Sequence, residues 1–469
     1  MGPTNTPKMN SIGRTRLHTI CMFYPGLTVN SLFNSDNYRA ITLTSSVCKL
    51  FDKIVLNREK DKLVTAENQF SYKAKHSTDH CTSVLKDTIS YYLSHDTPVY
   101  CCVLDASKAF DRINIIKLID VLIERKVAPS ILRVLFNMLI TQQSCVSWNN
   151  IMSEIFKVTN GARQGGILSA ILFIVYIDIL LIRLGHSGIG CNVLGVLINA
   201  LCYADDLILM CPSVKGLQHL INIAEKFAQE FDMIFNVSPK SKCICFSSKI
   251  IEHKPIIKIR DIPLDWCEEI EYLGHHLTSN LNEDKDINCK RAQMFGKFNE
   301  LMNDFYFMNS DVLVKLYKQT CCSFFGGAIY DFESADLSRF NNAFKSCLRR
   351  IFDLPRNSHS NIVLNLANCV PVQVTLYNRA MKFLDSDVEN ELVQFYFKLA
   401  KRSFTRTVSG RNFVHLFLLG NIATFENERT LSAEDEISLN VIKDLNEMKG
   451  GDIFTKSEID VLIETMSTL

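Results

Sequence analysis

Two short segments carry carboxylates at the ends of apolar runs. In the first, Val99-Tyr-Cys-Cys-Val-Leu-Asp105, six apolar residues lead to an aspartate. A continuous apolar run of this length reads as a strand buried on both faces, with the Asp105 carboxylate delivered at its edge. In the second, Leu201-Cys-Tyr-Ala-Asp205-Asp206-Leu-Ile-Leu-Met210, two apolar runs flank an acidic pair. That is the pattern of a β-hairpin with Asp205 and Asp206 at its turn. Adjacent carboxylates repel, and a third one nearby raises the cost. Divalent cations relieve it, because Mg²⁺ takes oxygen ligands from a few carboxylates, water and substrate phosphates. Two such ions about 3.5–4 Å apart activate an attacking hydroxyl and stabilise a leaving oxygen. The chemistry this suits is phosphoryl or nucleotidyl transfer. An acidic pair on a turn is by itself usually just solvated, so the surrounding segments decide.

Those carboxylates need a scaffold, and the chain is long enough for several domains' worth of core, at 469 residues with 47% hydrophobic and 22% charged. Lys+Arg number 51 against 50 Asp+Glu, so bulk charge does not advertise a nucleic-acid partner, and basic residues would have to cluster locally. The 17 cysteines include no CxxC pair, which points to reduced, buried thiols and an intracellular protein. His76, His80 and Cys81 read as a polar helix start rather than a metal cluster, since no partner pair follows at finger spacing. Ile167–Leu184 is the longest apolar stretch, but Asp178 and Arg183 within it favour a buried helix over a membrane span.

Residues 1–30 show no clear period and read as a disordered or truncated leader. From Asn37 to about Thr278 strands and helices alternate, as in an α+β domain. From about 285 onward the pattern is helical, over Gln293–Phe307, Ser310–Phe325 and Leu337–Phe352. Ser310-Asp311 and Ser334 are the expected N-caps, and Pro355 stops the third helix. The stretch Lys398–Phe413 holds Lys398, Lys401, Arg402, Arg406 and Arg411 with Phe404 and Phe413 interleaved and no acid. It suits either phosphate contact with stacking or a solvated basic face. The tail after Glu426 is acidic and less regular.

Eight segments, in order, resemble the reverse transcriptases of non-LTR (LINE-type) retrotransposons. Asn37-Tyr-Arg39-Ala-Ile-Thr-Leu resembles the family's "NYRPIS" segment, and Gln69-Phe-Ser-Tyr-Lys73-Ala-Lys75-His-Ser-Thr78 its "QFGFR…ST" segment. Asp105 with Phe110 looks like the first catalytic motif. Asn160-Gly-Ala-Arg-Gln164-Gly165-Gly-Ile-Leu-Ser and Tyr203-Ala-Asp205-Asp206 look like the next two, the latter being the YxDD box. Phe235-Asn236…Lys240-Ser-Lys242 is similar to "FN..KS", Tyr272-Leu273-Gly274 to "YLG", and Leu348-Arg349-Arg350-Ile-Phe-Asp-Leu-Pro355 to "LRRIF.LP". The resemblance covers about residues 37–385, and its wording points to the jockey-like type.

The resemblance implies an α+β right-hand polymerase. Its fingers and palm, with an antiparallel sheet, would occupy 31–278, a helical thumb 279–385 and a helical C-terminal extension 386–469. It implies an RNA-directed DNA polymerase that adds deoxynucleoside triphosphates to a DNA primer on an RNA template, with no membrane partner. A nuclear site is implied as well. Two Mg²⁺ ions, or Mn²⁺ in their place, would be held by Asp105, Asp205 and Asp206, with the Ala106 carbonyl as an extra ligand. Phe110 would be the steric gate under the sugar. Gln164 and Gly165 would line the nucleotide pocket, with Arg39, Lys73 and Lys75 as finger cations near the triphosphate. Lys240, with Lys242 as its competitor, would protonate the leaving pyrophosphate. Leu273 and Gly274 would belong to the primer grip. Arg349, Arg350 and Arg356 would contact nucleic acid from the thumb, and Lys401 and Arg402 would join them if the basic stretch Lys398–Phe413 contacts phosphate. Ala40 and Ala170 stand where the family has proline, and Pro239 lengthens the Asn236–Lys240 span, which puts the general-acid position in doubt. The lysine-containing strand expected before Tyr38 is not recognisable in residues 1–36, and no endonuclease pattern is present. An inactive RNA-binding remnant is therefore the alternative, and a nuclease or nucleotidyl cyclase of related palm fold the second.

Overall fold

The computed structural model describes residues 19–25, 38–148, 151–162, 165–249, 251, 254–322, 326–332, 336–402, 405–413 and 415; at 19–25, 38–41, 148 and 336 the backbone alone is described. Two strands open it, β1 (Thr19–Pro25) and β2 (Tyr38–Leu43), paired antiparallel with Met22 opposite Ile41. Helix α1 (Ser46–Glu59) follows, its first turn capped by the Ser45 hydroxyl, which accepts from the Cys48 N–H at 3.3 Å. Helix α2 (Thr78–Leu93) is capped in the same way by Ser77. Then come β3 (Val99–Asp105) and β4 (Gln143–Trp148), and β4 runs parallel to β1. The first sheet thus has the order β2-β1-β4 and is extended by Ile151–Met152, with Phe156–Lys157 also on β4.

Part of the segment read as a leader is therefore a central strand of this sheet. Ile20-Cys-Met-Phe-Tyr24 is apolar and β-favouring, but it lacks the alternation that marks a half-buried strand. Pro25 closes it, where a missing N–H is tolerated. A strand does precede Tyr38, but it contains no lysine and so is not the lysine-bearing strand expected there.

The second sheet carries the carboxylates. Helix α3 (Ile167–His186), β5 (Ala200–Tyr203), β6 (Asp206–Cys211), helix α4 (Val214–Glu230) and β7 (Lys242–Phe246) follow in turn. The order is Trp266–Cys267, β7, β3, β6, β5, antiparallel except for the short first pair. Both faces of the sheet are buried, which is why β3 is apolar without alternation. Val99, Cys101, Ile208, Met210, Ile244 and Phe246 pack toward α2 and the C-terminal helices. Cys102, Leu104, Leu207, Leu209 and Cys243 pack toward α3 and α4. By length and composition α3 could cross a membrane, yet it is packed in this core. Its Asp178 accepts from the Ala66 N–H at 2.7 Å and pairs with Arg125.

A tight hairpin, β8 (Glu269–Tyr272) and β9 (His275–Thr278), leads into helix α5 (Asp284–Phe305). The next helix is α-helical only over Ser310–Leu316 and then widens into a π turn at Tyr317–Cys321, so the expected helix to Phe325 is interrupted. The buried Tyr317 ring lies edge-on to Phe298 and stacks on Phe344. The cap is Asn309, which accepts from the Asp311 N–H at 2.9 Å, and Ser310 is already helical. Helix α6 (Asp336–Ile351) ends four residues before Pro355, followed by α7 (Val372–Leu384) and α8 (Glu391–Lys401). Ser334, Phe404 and the tail after Glu426 lie outside the described residues. The C-terminal part folds back onto the first half. Asn390 donates to the Glu67 carbonyl at 2.6 Å, and Ser409 N–H to the Asp87 carboxylate at 2.9 Å. A buried polar seam joins palm to α5. Asp286 accepts from His275, from the His276 N–H and from the Tyr330 hydroxyl. Burial alone would raise its carboxyl, but these donors outweigh it and hold the group at about 2.

Candidate active site

Asp206 is the first residue of β6 and lies directly opposite Asp105, the last residue of β3. Facing residues in an antiparallel pair are about 4.5–5.5 Å apart at Cα and point to the same side. The hairpin turn is Ala204-Asp205, because Tyr203 pairs with Asp206. The acidic pair is thus split between turn and strand, rather than sitting together at the tip. Asp205 and Asp105 are half-buried and Asp206 is exposed.

The turn is held in an unfavourable conformation. Ala204 has φ +59°, which costs an L-residue about 1–2 kcal/mol. Its N–H donates to the Gln69 Oε1 at 3.2 Å and to the Ser71 hydroxyl at 2.8 Å. Hydrogen bonds contribute about 1 kcal/mol each, enough to offset that cost. The main chain around Gln69 lies along β5: Cys202 N–H donates to the Asn68 carbonyl at 2.8 Å, and Phe70 N–H to the Cys202 carbonyl at 2.9 Å. The Gln69–Lys73 segment therefore clamps the acidic hairpin from its outer edge.

Two further segments hold the same end of the sheet. Asn236 donates through its side-chain amide to the Asp105 Oδ2 at 2.5 Å and through its N–H to the Asp105 carbonyl at 2.8 Å. The Ser241 hydroxyl accepts from the Asp105 N–H at 3.1 Å. Lys240, one residue away, is exposed, and Lys242 lies in β7 opposite Val103. Across the hairpin, the buried Tyr272 hydroxyl donates to the Leu201 carbonyl at 3.3 Å, with the Asp206 carbonyl at 3.4 Å. Burial pushes the Tyr272 hydroxyl far above its ordinary range, so it remains a donor. Leu273 and Gly274 form the β8–β9 turn with φ +49° and +78°, the two positive angles that a two-residue hairpin of this hand requires. Lys290 on α5 donates to the Gly274 carbonyl at 2.7 Å, tying that helix to the hairpin.

On the other side of Asp105, Phe110 is half-buried and stacks on Phe173, with ring centroids 4.4 Å apart. Ala162 N–H donates to the Phe110 carbonyl at 2.9 Å, and Gly161 N–H to the Ile113 carbonyl at 3.0 Å. Gly161 has φ +92°, and a Cβ there would meet Asp111 Cα at 2.8 Å, so this contact needs glycine. The segment that ends at Gly165, exposed with φ +105°, is thereby tied to the turn bearing Phe110. Gln164 lies outside the described residues, as does the side chain of Arg39. Lys73 donates to the Thr65 and Ala66 carbonyls at 3.1 and 2.7 Å, and burial lowers its pKa. Lys75 pairs with Asp387 at 2.6 Å on the surface. Both finger lysines are thus bound within the chain.

The C-terminal cations make contacts within the chain. Arg349 donates to the Ser358 carbonyl at 2.8 and 3.2 Å and so closes the loop after α6. Arg350 lies 4.8 Å over the Phe298 ring and donates to Asn299. Lys401 pairs with Asp385 at 3.0 Å. Arg406 contacts His95, and Arg411 grips Asp331 at 2.7 and 3.0 Å. Arg402 is exposed at the end of α8. Most of these cations join one part of the chain to another.

Among the described residues, no three His, Cys, Asp or Glu side chains are gathered closely enough to grip an ion as they stand. The Asp105, Asp205 and Asp206 set still fits one. It offers hard oxygens alone, with Asp105 and Asp206 opposite each other on adjoining strands and Asp205 in the next turn.

Residues 30–277, just over half of the chain, match the family model described as reverse transcriptase (RNA-dependent DNA polymerase). The Retrovirus-related Pol polyprotein from type-2 retrotransposable element R2DM of Drosophila melanogaster is 26% identical over 275 residues, 56% of this chain and 25% of that protein. The probable RNA-directed DNA polymerase from transposon BS, also of Drosophila melanogaster, is 25% identical over 283 residues, 57% of this chain and 30% of that protein. The chain thus spans a third or less of the length of these relatives. Among solved structures, apo telomerase from Candida tropicalis aligns over 92% of this chain and 70% of its own, with 11% identity and a TM-score of 0.42.

Proposed function

The chain belongs to the reverse transcriptase family, and from that premise we propose that it extends a DNA primer along an RNA template as the polymerase part of a non-LTR retrotransposon. The observation that carries this is Asp206 opposite Asp105 on one sheet face, with Asp205 in the adjoining turn. Reverse transcriptases generally use divalent metal ions. Two Mg²⁺ ions, with Mn²⁺ as a substitute, are part of the proposal, held by these carboxylates and the Ala106 carbonyl. Bound there, they would supply charge neutralisation for nucleotidyl transfer. Phe110, braced by Phe173, is the group that excludes a ribose 2′-hydroxyl. Lys240 is the proton donor to pyrophosphate. Gly165 and Gln164 belong to the nucleotide pocket, and the Leu273-Gly274 turn to the primer grip. The domain division of fingers and palm at 31–278, thumb at 279–385 and extension at 386–469 is part of the same proposal, as is a nuclear site of action.

Primer extension on poly(rA)/oligo(dT) with dTTP and Mg²⁺ tests it. Lengthened primer is the expected product. A cleaved strand or a cyclic nucleotide instead would make the chain another two-metal enzyme. RNA binding without any product would make it a remnant.

A further inference from the structure

The segment Ile234–Ser241 grips Asp105 at three points, and one of them is unlike the others. The Asn236 N–H on the Asp105 carbonyl and the Ser241 hydroxyl on the Asp105 N–H fix the main chain. Ser107 N–H on the Ile234 carbonyl, at 2.8 Å, and the bridge between Ala106 and Phe235 extend that ladder. These contacts would hold the end of β3 whatever side chain stood at position 105. The Asn236 amide, at 2.5 Å from Oδ2, acts on the carboxylate itself.

The chemistry of this donor matters. An ionised carboxylate has about four acceptor sites, and one amide N–H occupies one of them. The group is then fixed in rotation while the remaining lone pairs stay available. A lysine or arginine in the same place would fix it equally well but would neutralise the charge that a cation needs. The structure places a neutral donor there, and Ser241, Gln69, Ser71 and Tyr272 around the same end are neutral too.

We infer that Asn236 is a positioning residue that orients the Asp105 carboxylate for a divalent cation, with Ser241 fixing the main chain from which Asp105 projects. The use of that cation in primer extension rests on the polymerase reading; the orientation does not. Partners that orient a metal-ligating side chain typically change metal affinity tenfold to a hundredfold when removed.

The test is Mn²⁺ binding to the full chain, read by the electron paramagnetic resonance of free Mn²⁺ and so independent of turnover. Asn236→Leu keeps the size of the side chain and removes the donor. Its Mn²⁺ affinity should fall roughly tenfold or more, with the melting temperature near wild type, and any primer extension should need correspondingly more Mg²⁺. Asn236→Gln, which keeps the amide, should recover part of the affinity. Asn236→Ala serves the same purpose should Asn236→Leu not fold. A folded variant with wild-type Mn²⁺ affinity overturns the inference. A wild-type chain that binds Mn²⁺ but extends no primer overturns the polymerase reading instead, and the affinity comparison still decides this one.

Discussion

At one end of the carboxylate-bearing sheet Asp105 and Asp206 face each other, and neutral side chains hold the main chain around them: Gln69, Ser71, Ser241 and Tyr272, with Asn236 on the Asp105 carboxylate itself. Along the C-terminal helices the cations each stand against another part of the chain. Arg349, Arg350, Lys401, Arg406 and Arg411 each meet a carbonyl, a ring or a polar side chain of this chain. Carboxylates brought together repel one another, and an outside cation would lower that cost. Among the C-terminal cations Lys401 and Arg411 meet carboxylates, and all five join one part of the chain to another. Charge composition alone does not separate the two situations.

Several substitutions break or sharpen that contrast. The largest effect is expected from Asp105→Asn. Loss of a metal-binding carboxylate removes several kcal/mol of transition-state stabilisation, so extension should fall about a hundredfold to a thousandfold. Thermal denaturation should meanwhile show a melting point at or above wild type, because a repulsion is gone. A fall in both would mean that Asp105 is structural. Phe110→Val should come next. Opening the space beside Phe173 should raise ribonucleotide incorporation relative to deoxynucleotide by roughly tenfold to a hundredfold, and an unchanged ratio in single-nucleotide kinetics would make Phe110 plain core.

On the basic side, Arg411→Ala should act on stability. Its pair with Asp331 is about a quarter exposed on each side. The loss should be about 1–2 kcal/mol, between the values for exposed and buried pairs, and should appear in urea denaturation with template-primer affinity unchanged. Weaker binding with unaltered stability would return this residue to the nucleic-acid face. The smallest effect is expected from Ala204→Gly. Glycine accepts φ +59° without steric cost but loses more chain entropy on folding, so stability should change by less than about 1 kcal/mol. A large loss would show that the Ala204 methyl packs in a way the turn geometry does not explain.

The carboxylates themselves were legible in the sequence because their surroundings are local. Six apolar residues before Asp105 and two runs around Asp205-Asp206 each state a strand over a few positions. The braces were not legible, because they act across the chain: Asn236 reaches Asp105 over 131 positions and Gln69 reaches Ala204 over 135. Both residues stand in quoted motifs, and only the three-dimensional contact shows what each does there. For the arginines of Leu348–Pro355 the motif gave no hint of the Ser358 carbonyl that Arg349 also meets or the Phe298 ring that Arg350 also meets. Thr19–Pro25 was missed because its apolar run shows no alternation. The helix after Asn309 was drawn too long, because apolar spacing does not register a π turn.

The most direct test of the central claim, that the three carboxylates form one metal-dependent polymerase site, is Mg²⁺-dependent primer extension on an RNA template by the wild-type chain beside the Asp205→Asn/Asp206→Asn double variant, with template-primer binding measured on both. The expected result is extension by the wild type that stops when Mg²⁺ is chelated and is absent from the double variant, with similar binding by the two. Comparable extension by a folded double variant would contradict the account.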